Sequence, residues 1–440
     1  MNRGWVVTLS ALGINLALGV LYTWSVISKA IPDDWGWTEQ QKSWPYAIAC
    51  LMFALMMVPA GRLQDKFSPR LVATIGGVLV GLGMLVASLG TSNLLYILGF
   101  GVLAGTGIGF GYASATPPAV KWFPSARVGM IAGIVVSGFG LASVYAAPLA
   151  NWLIGAYGVP NTMMILGGAF LVVVIALAQL LRTPPQGYVP PGTPPATAGA
   201  KARAEAEYTP SEMLGTSQFY LLWFMYACGA GAGLMVIAKL AAMADLQAGI
   251  QLGFIFVVSL AVGNGAGRIV AGMISDRWGR KPTIIGCLLF QAVLMYVLTL
   301  ATAGSLLGTQ VVLAVLSALI GANYGANLAL YPAVTKDFYG IKNFGVNYGL
   351  VFTSWGIGGF ALSLLAGRLY DVYQSFAASC YVASALLLAA AVMGIFLQAP
   401  ARAAVQEGAA LFPSIEPARV PSKGRRPVRM PSKGRKPSGV

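Results

Sequence analysis

The chain has 440 residues, 57% of them hydrophobic and 9% charged, with a mean hydropathy of +0.73. Soluble domains carry roughly 25% charged residues, and this chain has no histidine and only 13 acidic residues, which excludes His-dependent zinc sites and Ser-His-Asp or Cys-His catalysis. A soluble enzyme, a disordered chain and a disulfide scaffold are thereby set aside. An outer-membrane barrel would need short alternating strands, whereas this sequence has long apolar runs, so an all-α integral membrane protein is expected.

A bilayer crossing takes about 20 mostly apolar residues. On that scale twelve transmembrane helices are expected: 5–28, 43–61, 71–92, 94–118, 128–154, 160–181, 217–238, 252–275, 283–303, 308–334, 346–366 and 376–398. The first is too long for a cleaved signal and lacks a cleavage site. Cys50, Cys228, Cys287 and Cys380 lie inside apolar runs with no redox or ligand spacing, and are read as small buried hydrophobes.

Lys and Arg counting sets the orientation. With both termini cytoplasmic, the inner loops hold Arg62, Lys66, Arg70, Lys121, Arg127, Arg277, Arg280, Lys281, Lys336 and Lys342, and the outside receives only Lys29, Lys42, Lys239 and Arg368. A multi-pass protein of the cell (inner) membrane is expected. Residues 182–216 are rich in Pro, Ala and charge and read as a solvated cytoplasmic linker. They separate an N-terminal six-helix half, 1–181, from a C-terminal one, 217–398. Residues 399–440 read as a basic, disordered cytoplasmic tail ending in PSKGRRPVRM-PSKGRKPSGV. Such a tail can lie on anionic headgroups, and its lack of interleaved aromatics argues against nucleic acid.

The halves repeat. Gly61, Asp65, Lys66 and Arg70 follow span two, and Gly272, Asp276, Arg277, Gly279, Arg280 and Lys281 follow span eight. Tyr112 and Tyr324 occupy equivalent places in spans four and ten. A parallel repeat of two six-helix halves is a transporter plan with the substrate at the midplane. The repeated loop element resembles that of the major facilitators. The second copy is nearly complete, while Ser68-Pro69 degrades the first. Its acidic residue at a helix end can pair with Arg in a gating clasp; plain positive-inside topology is the alternative.

Arg268 lies in AVGNGAGRIVAGMIS, eight residues before Asp276, or about 12 Å along a helix. An intramembrane arginine is costly and marks a functional site. No Asp or Glu lies in the expected membrane cores, so an anionic ligand is the expected partner, bound through two parallel hydrogen bonds; capping of backbone carbonyls is the alternative. Asn264, four residues earlier, shares its helix face. Tyr22, Trp24, Tyr112, Tyr324, Tyr331 and Trp355 are further candidates for a carboxylate pocket. The glycine runs in spans four, five and eleven lack a G-K-S/T phosphate loop and read as smooth packing faces. No nucleophile–base pair or metal cluster is seen, so neither an enzyme nor a cofactor or metal is expected.

Gly19-Val-Leu-Tyr22-Thr-Trp24-Ser-Val, Lys121-Trp-Phe-Pro124, Tyr208-Thr-Pro-Ser-Glu212-Met-Leu and Asn347-Tyr-Gly349 resemble the oxalate/formate antiporter branch of the major facilitators, close to the monocarboxylate transporters. The resemblance implies that Arg268 matches the arginine that binds the substrate carboxylate. It places Asn264 where animal monocarboxylate transporters carry an Asp linked to proton coupling, and Trp355 where oxalate exchangers carry a lysine. One buried cation suits a monocarboxylate such as lactate or pyruvate. The expectation is therefore alternating-access transport of a small monocarboxylate, coupled to a proton, by a monomer whose further partner is membrane lipid. An oxalate/formate or dicarboxylate exchanger, a carrier of another anion such as nitrate, and a transport-dead membrane sensor remain open.

Overall fold

The computed structural model describes residues 3–124, 127–185, 188–190, 207–340 and 342–400, with the Asp65 side chain outside that description. The basic tail and most of the linker, including its charged run, also lie outside the described residues. The described chain is almost wholly helical, with no strand among these residues.

Eleven helices are long and apolar enough to cross a bilayer. One of them, Val128–Ala178, has 51 residues, which is ~77 Å at 1.5 Å per residue and more than twice a hydrocarbon core of about 30 Å. It is divided at Gly158, whose φ of 76° and ψ of 172° leave the helical region, a conformation that glycine adopts without a Cβ penalty. The elements are α1 Arg3–Lys29, α2 Glu39–Lys66, α3 Pro69–Ala87, α4 Asn93–Val120, α5 128–157, α6 159–178, α7 Ser217–Leu246, α8 Gly253–Trp278, α9 Arg280–Thr299, α10 Gln310–Tyr339, α11 Phe344–Tyr373 and α12 Ala377–Ile395.

Local chemistry sets several boundaries. Thr38 caps α2 in a capping box with Gln41, Ser68 caps α3 ahead of Pro69, and Thr216 caps α7; each supplies an oxygen to an otherwise unpaired helix N–H. Gly279, at φ 91°, separates α8 from α9. The first crossing is interrupted by a 3-10 stretch, Gly19–Thr23, which carries Tyr22. Several helices run past their apolar limits. The most consequential is α7, which extends to Leu246.

The tightest packing joins α8 to α10. A Cβ on Gly263 or Gly267 would run into the Ala318 or Ala322 backbone. One on Gly321 or Gly325 would run into that of Leu260 or Asn264. Small residues let two helix backbones approach this closely in lipid, where apolar burial supplies little drive. Large apolar side chains such as Val172, Ile269, Val311 and Phe396 cover the outer surface, as a lipid-facing belt requires.

Candidate functional site

Residues of α1, α2, α4, α5, α8, α10 and α11 line a small cavity. Its lining is Tyr22, Phe53, Tyr112, Phe139, Arg268, Leu328, Phe352 and Trp355, and its volume is about 10 Å³, on the order of the room for a single water. The wall is aromatic and the one charged group in it is Arg268.

Arg268 is half-buried. Its Nε donates to Asn264 Oδ1 at 3.2 Å and its Nη1 to the Val136 carbonyl of α5 at 3.1 Å. The i, i+4 spacing on α8 brings Asn264 under the guanidinium. Among the described residues no carboxylate lies within ion-pair distance of it. The Asn264 side chain is fully buried, and its Nδ2 has no hydrogen-bond partner among the described residues. An unpaired buried amide costs about 1–3 kcal/mol, so an acceptor entering here would relieve it. Gly140 on α5 permits this arrangement: a Cβ there would lie 3.2 Å from both Arg268 Nη2 and Asn264 Nδ2.

In the same cavity wall, the Tyr22 hydroxyl lies 2.6 Å from that of Tyr324, and the Trp355 indole N–H donates to Tyr324 at 2.8 Å. This chain crosses from α1 to α10 and α11. Tyr112 packs edge-on against Phe53 and Phe139 at 5.2 and 5.3 Å. Arg268, Tyr22, Tyr112 and Trp355 therefore meet at one cavity, with Asn264 and Tyr324 immediately behind. Two of the residues singled out in the sequence are elsewhere. Trp24 stacks on Phe100 at 4.6 Å and donates to the Lys42 carbonyl; two residues on from Tyr22, it points to a different side of the helix. Tyr331 stacks on Tyr226 at 4.1 Å, outside the cavity wall. Phe53, Phe139 and Phe352 complete the wall without any polar signal to single them out.

The loop element forms a charge cluster at one end of the molecule. Arg280 bonds Asp276 at 2.7 Å and Asp337 at 3.0 Å, with Ser275 as a third partner. It thus ties the end of α8 and the start of α9 to the end of α10. Lys281 donates to the Ile395 carbonyl at 2.6 Å. Gly61 and Gly272 have nothing within 4 Å of an added Cβ. Asp65 lies outside the side chains described.

A bundle of apolar helices around a central cavity with one arginine is the plan expected of a membrane transporter. The sequence profile of the Major Facilitator Superfamily matches residues 6–238 and 220–429, and the chain belongs to that family. It is 28% identical over 366 residues to the oxalate:formate antiporter of Oxalobacter formigenes, covering 80% of this chain and 81% of that one. It is 27% identical over 398 residues to monocarboxylate transporter 11 of Mus musculus, covering 88% and 85%. An uncharacterized MFS-type transporter of Escherichia coli, YhjX, is 26% identical over 356 residues, covering 80% and 85%. A bacterial homolog of the human lysosomal transporter Spinster, crystallised inward-facing and unoccupied, has the same fold, with a TM-score of 0.62 at 15% identity over 90% of this chain and 96% of that one.

Proposed function

We propose that this transporter carries a small monocarboxylate of the lactate or pyruvate kind together with a proton, by rocking of residues 1–181 against 217–398. Both termini would face the cytoplasm of a cell with this protein in its inner membrane. The observation that carries the reading is the single guanidinium at the cavity, with no carboxylate partner among the described residues and an unpaired Asn264 amide beside it. A monoanion would neutralise that site. Its carboxylate would take hydrogen bonds from Arg268 and displace the Val136 carbonyl, while Tyr112 and the Tyr22–Tyr324 pair would shape the remainder. The similarity to monocarboxylate transporter 11 supports this reading. The cavity is too small for an organic anion as it stands, so entry would require the helices to part.

A second reading, oxalate/formate exchange, is favoured by the similarity to the oxalate:formate antiporter. Against it stands Trp355, which lines the same cavity as Arg268 and has its one donor engaged by Tyr324. The test is uptake of labelled lactate, pyruvate, formate and oxalate into proteoliposomes, with and without an inward proton gradient. Gradient-driven lactate or pyruvate uptake supports the first reading. Oxalate–formate counterflow indifferent to the gradient would replace it with the second.

A further inference from the structure

Successive carbonyls of α5 take side-chain donors. Ile134 accepts from Ser137 Oγ at 2.8 Å, Val135 from Asn15 Nδ2 of α1 at 2.8 Å, and Val136 from Arg268 Nη1 of α8 at 3.1 Å. All lie inside the helix, where a carbonyl oxygen keeps a second lone pair after accepting its helical N–H. Asn15 is fully buried, and its Oδ1 has no hydrogen-bond partner among the described residues. A half-satisfied buried amide is a poorer core residue than an apolar side chain, so packing alone does not account for it.

Around Asn15, α1 and α5 meet backbone to backbone. A Cβ on Gly138 would lie 2.6 Å from the Leu12 carbonyl, and one on Gly19 would lie 2.5 Å from that of Phe139. Tyr145 of α5 donates to the Leu16 carbonyl at 3.0 Å. Close glycine contact fixes how near two helices come. The Asn15 bond is directional, so it also fixes the height and rotation of α5 at Val135. It thereby fixes where the next carbonyl, that of Val136, stands against Arg268.

The Val136 carbonyl is a neutral acceptor on a charged donor. A carboxylate makes the stronger bond to a guanidinium, so it displaces the carbonyl when it arrives. When the anion leaves, the carbonyl takes the donor back. Whatever stabilises the empty arginine weakens its hold on the ligand by the same amount.

We propose that the Val136 carbonyl is a built-in competitor that discharges the substrate from Arg268, and that Asn15 is the positioning residue that sets it there. The inference rests on the reading of Arg268 as the carboxylate site and extends that reading to release.

The experiment titrates the full chain in nanodiscs with labelled lactate, and times lactate efflux and counterflow in proteoliposomes. Asn15→Ala removes the bond to Val135 and also the unpartnered Oδ1, so its thermal unfolding should change little. It should bind lactate about fivefold more tightly, the share of one charge-assisted bond no longer contested. Efflux should slow, with KM and Vmax falling together; damage to the fold would raise KM instead. A second variant acts on the carbonyl itself. Replacing Ser137 with its α-hydroxy analogue turns the 136–137 peptide bond into an ester, whose carbonyl is a weaker acceptor. It should behave as Asn15→Ala does, whereas the same exchange at Leu153, far along α5, should bind like the parent. An ester at 137 that binds lactate no more tightly than the Leu153 control overturns the competitor. Tighter binding by that ester beside an unchanged Asn15→Ala overturns the role of Asn15 alone. Arg268-dependent binding of oxalate but not lactate sinks the substrate assignment alone, and the two variants are then compared with labelled oxalate. A parent with no Arg268-dependent binding of lactate, pyruvate, formate or oxalate sinks both.

Discussion

Tyr22 and Tyr324 stand 302 residues apart in sequence and 2.6 Å apart at their hydroxyls. Their bond ties α1 to α10 beside the cavity wall that Tyr22 shares with Arg268. On the proposed reading, a substrate at the arginine would meet Tyr22 in that wall. Replacing Tyr22 with Phe removes a net ~1 kcal/mol hydrogen bond while keeping the aromatic wall and the Trp355–Tyr324 bond. Tyr22→Phe should therefore fold normally and change the apparent affinity for labelled lactate by several-fold; unchanged uptake kinetics would place the pair outside the path.

Arg268→Ala is expected to abolish saturable uptake. Arg268→Lys keeps the charge but loses the two-pronged geometry, so it should bind weakly. Thermal unfolding of both variants in detergent separates loss of ligand from loss of fold, because ligand stabilises only a protein that binds it. Full uptake by Arg268→Ala would refute the assignment.

Gly140→Ala tests the same site from the opposite helix. The added methyl would press on Arg268 Nη2 and Asn264 Nδ2 at 3.2 Å, and both are side-chain ends that can yield by a few tenths of an ångström. The protein should remain folded, with lactate affinity weakened several-fold; a loss of more than ~3 kcal/mol of stability would show that the helix, not the site, depends on this glycine.

Trp355→Lys would place a second cation in the same cavity as Arg268 and open the wall. An uncompensated buried charge costs several kcal/mol, and each ~1.4 kcal/mol is a decade of affinity. The parent should therefore ignore oxalate, and the variant should gain oxalate competition while losing lactate transport. Strong oxalate competition in the parent would mean that one arginine suffices for a dianion.

Asp276 is largely exposed, and its bond to Arg280 is an i, i+4 pair, worth roughly 0–1 kcal/mol. The cluster it belongs to joins α8, α9 and α10 to one another. Asp276→Asn should lower the unfolding temperature only slightly. Gly272→Ala should be neutral or mildly stabilising, since nothing crowds that position and Ala is the better helix former. A large loss of transport in a stable Gly272→Ala protein would show that another helix reaches that position at a different point in the cycle.

Much of this architecture is legible in the amino-acid sequence. Hydropathy locates the crossings, and a charge with no acid in its own span singles out Arg268 on cost alone. The i, i+4 rule carries Asn264 with it. Trp24 departs from the pocket because residues two apart on a helix point to different sides, and Tyr22 is the one that lines the cavity. Phe53, Phe139 and Phe352 cannot be distinguished by sequence from lipid-facing aromatics, since nothing in an apolar ring announces which way it points. Lys239 reads as a loop cation because the apolar run stops at Ala238, whereas α7 continues to Leu246. Its partner, Glu39, is 200 residues away, and no local pattern connects them.

The interlocked glycines of α8 and α10 have one more consequence. With backbone pressed on backbone at Gly263, Gly267, Gly321 and Gly325, the two helices lack the side-chain cushion that would let one slide along the other. Contact this close would couple them as a single strut, so on the proposed cycle Arg268 and Tyr324 would travel together. The distance that changes would then be the one from this strut to α1 and α5. The anion would be carried on one arm of a lever, with Tyr22 and the Val136 carbonyl as the fixed marks it leaves and returns to.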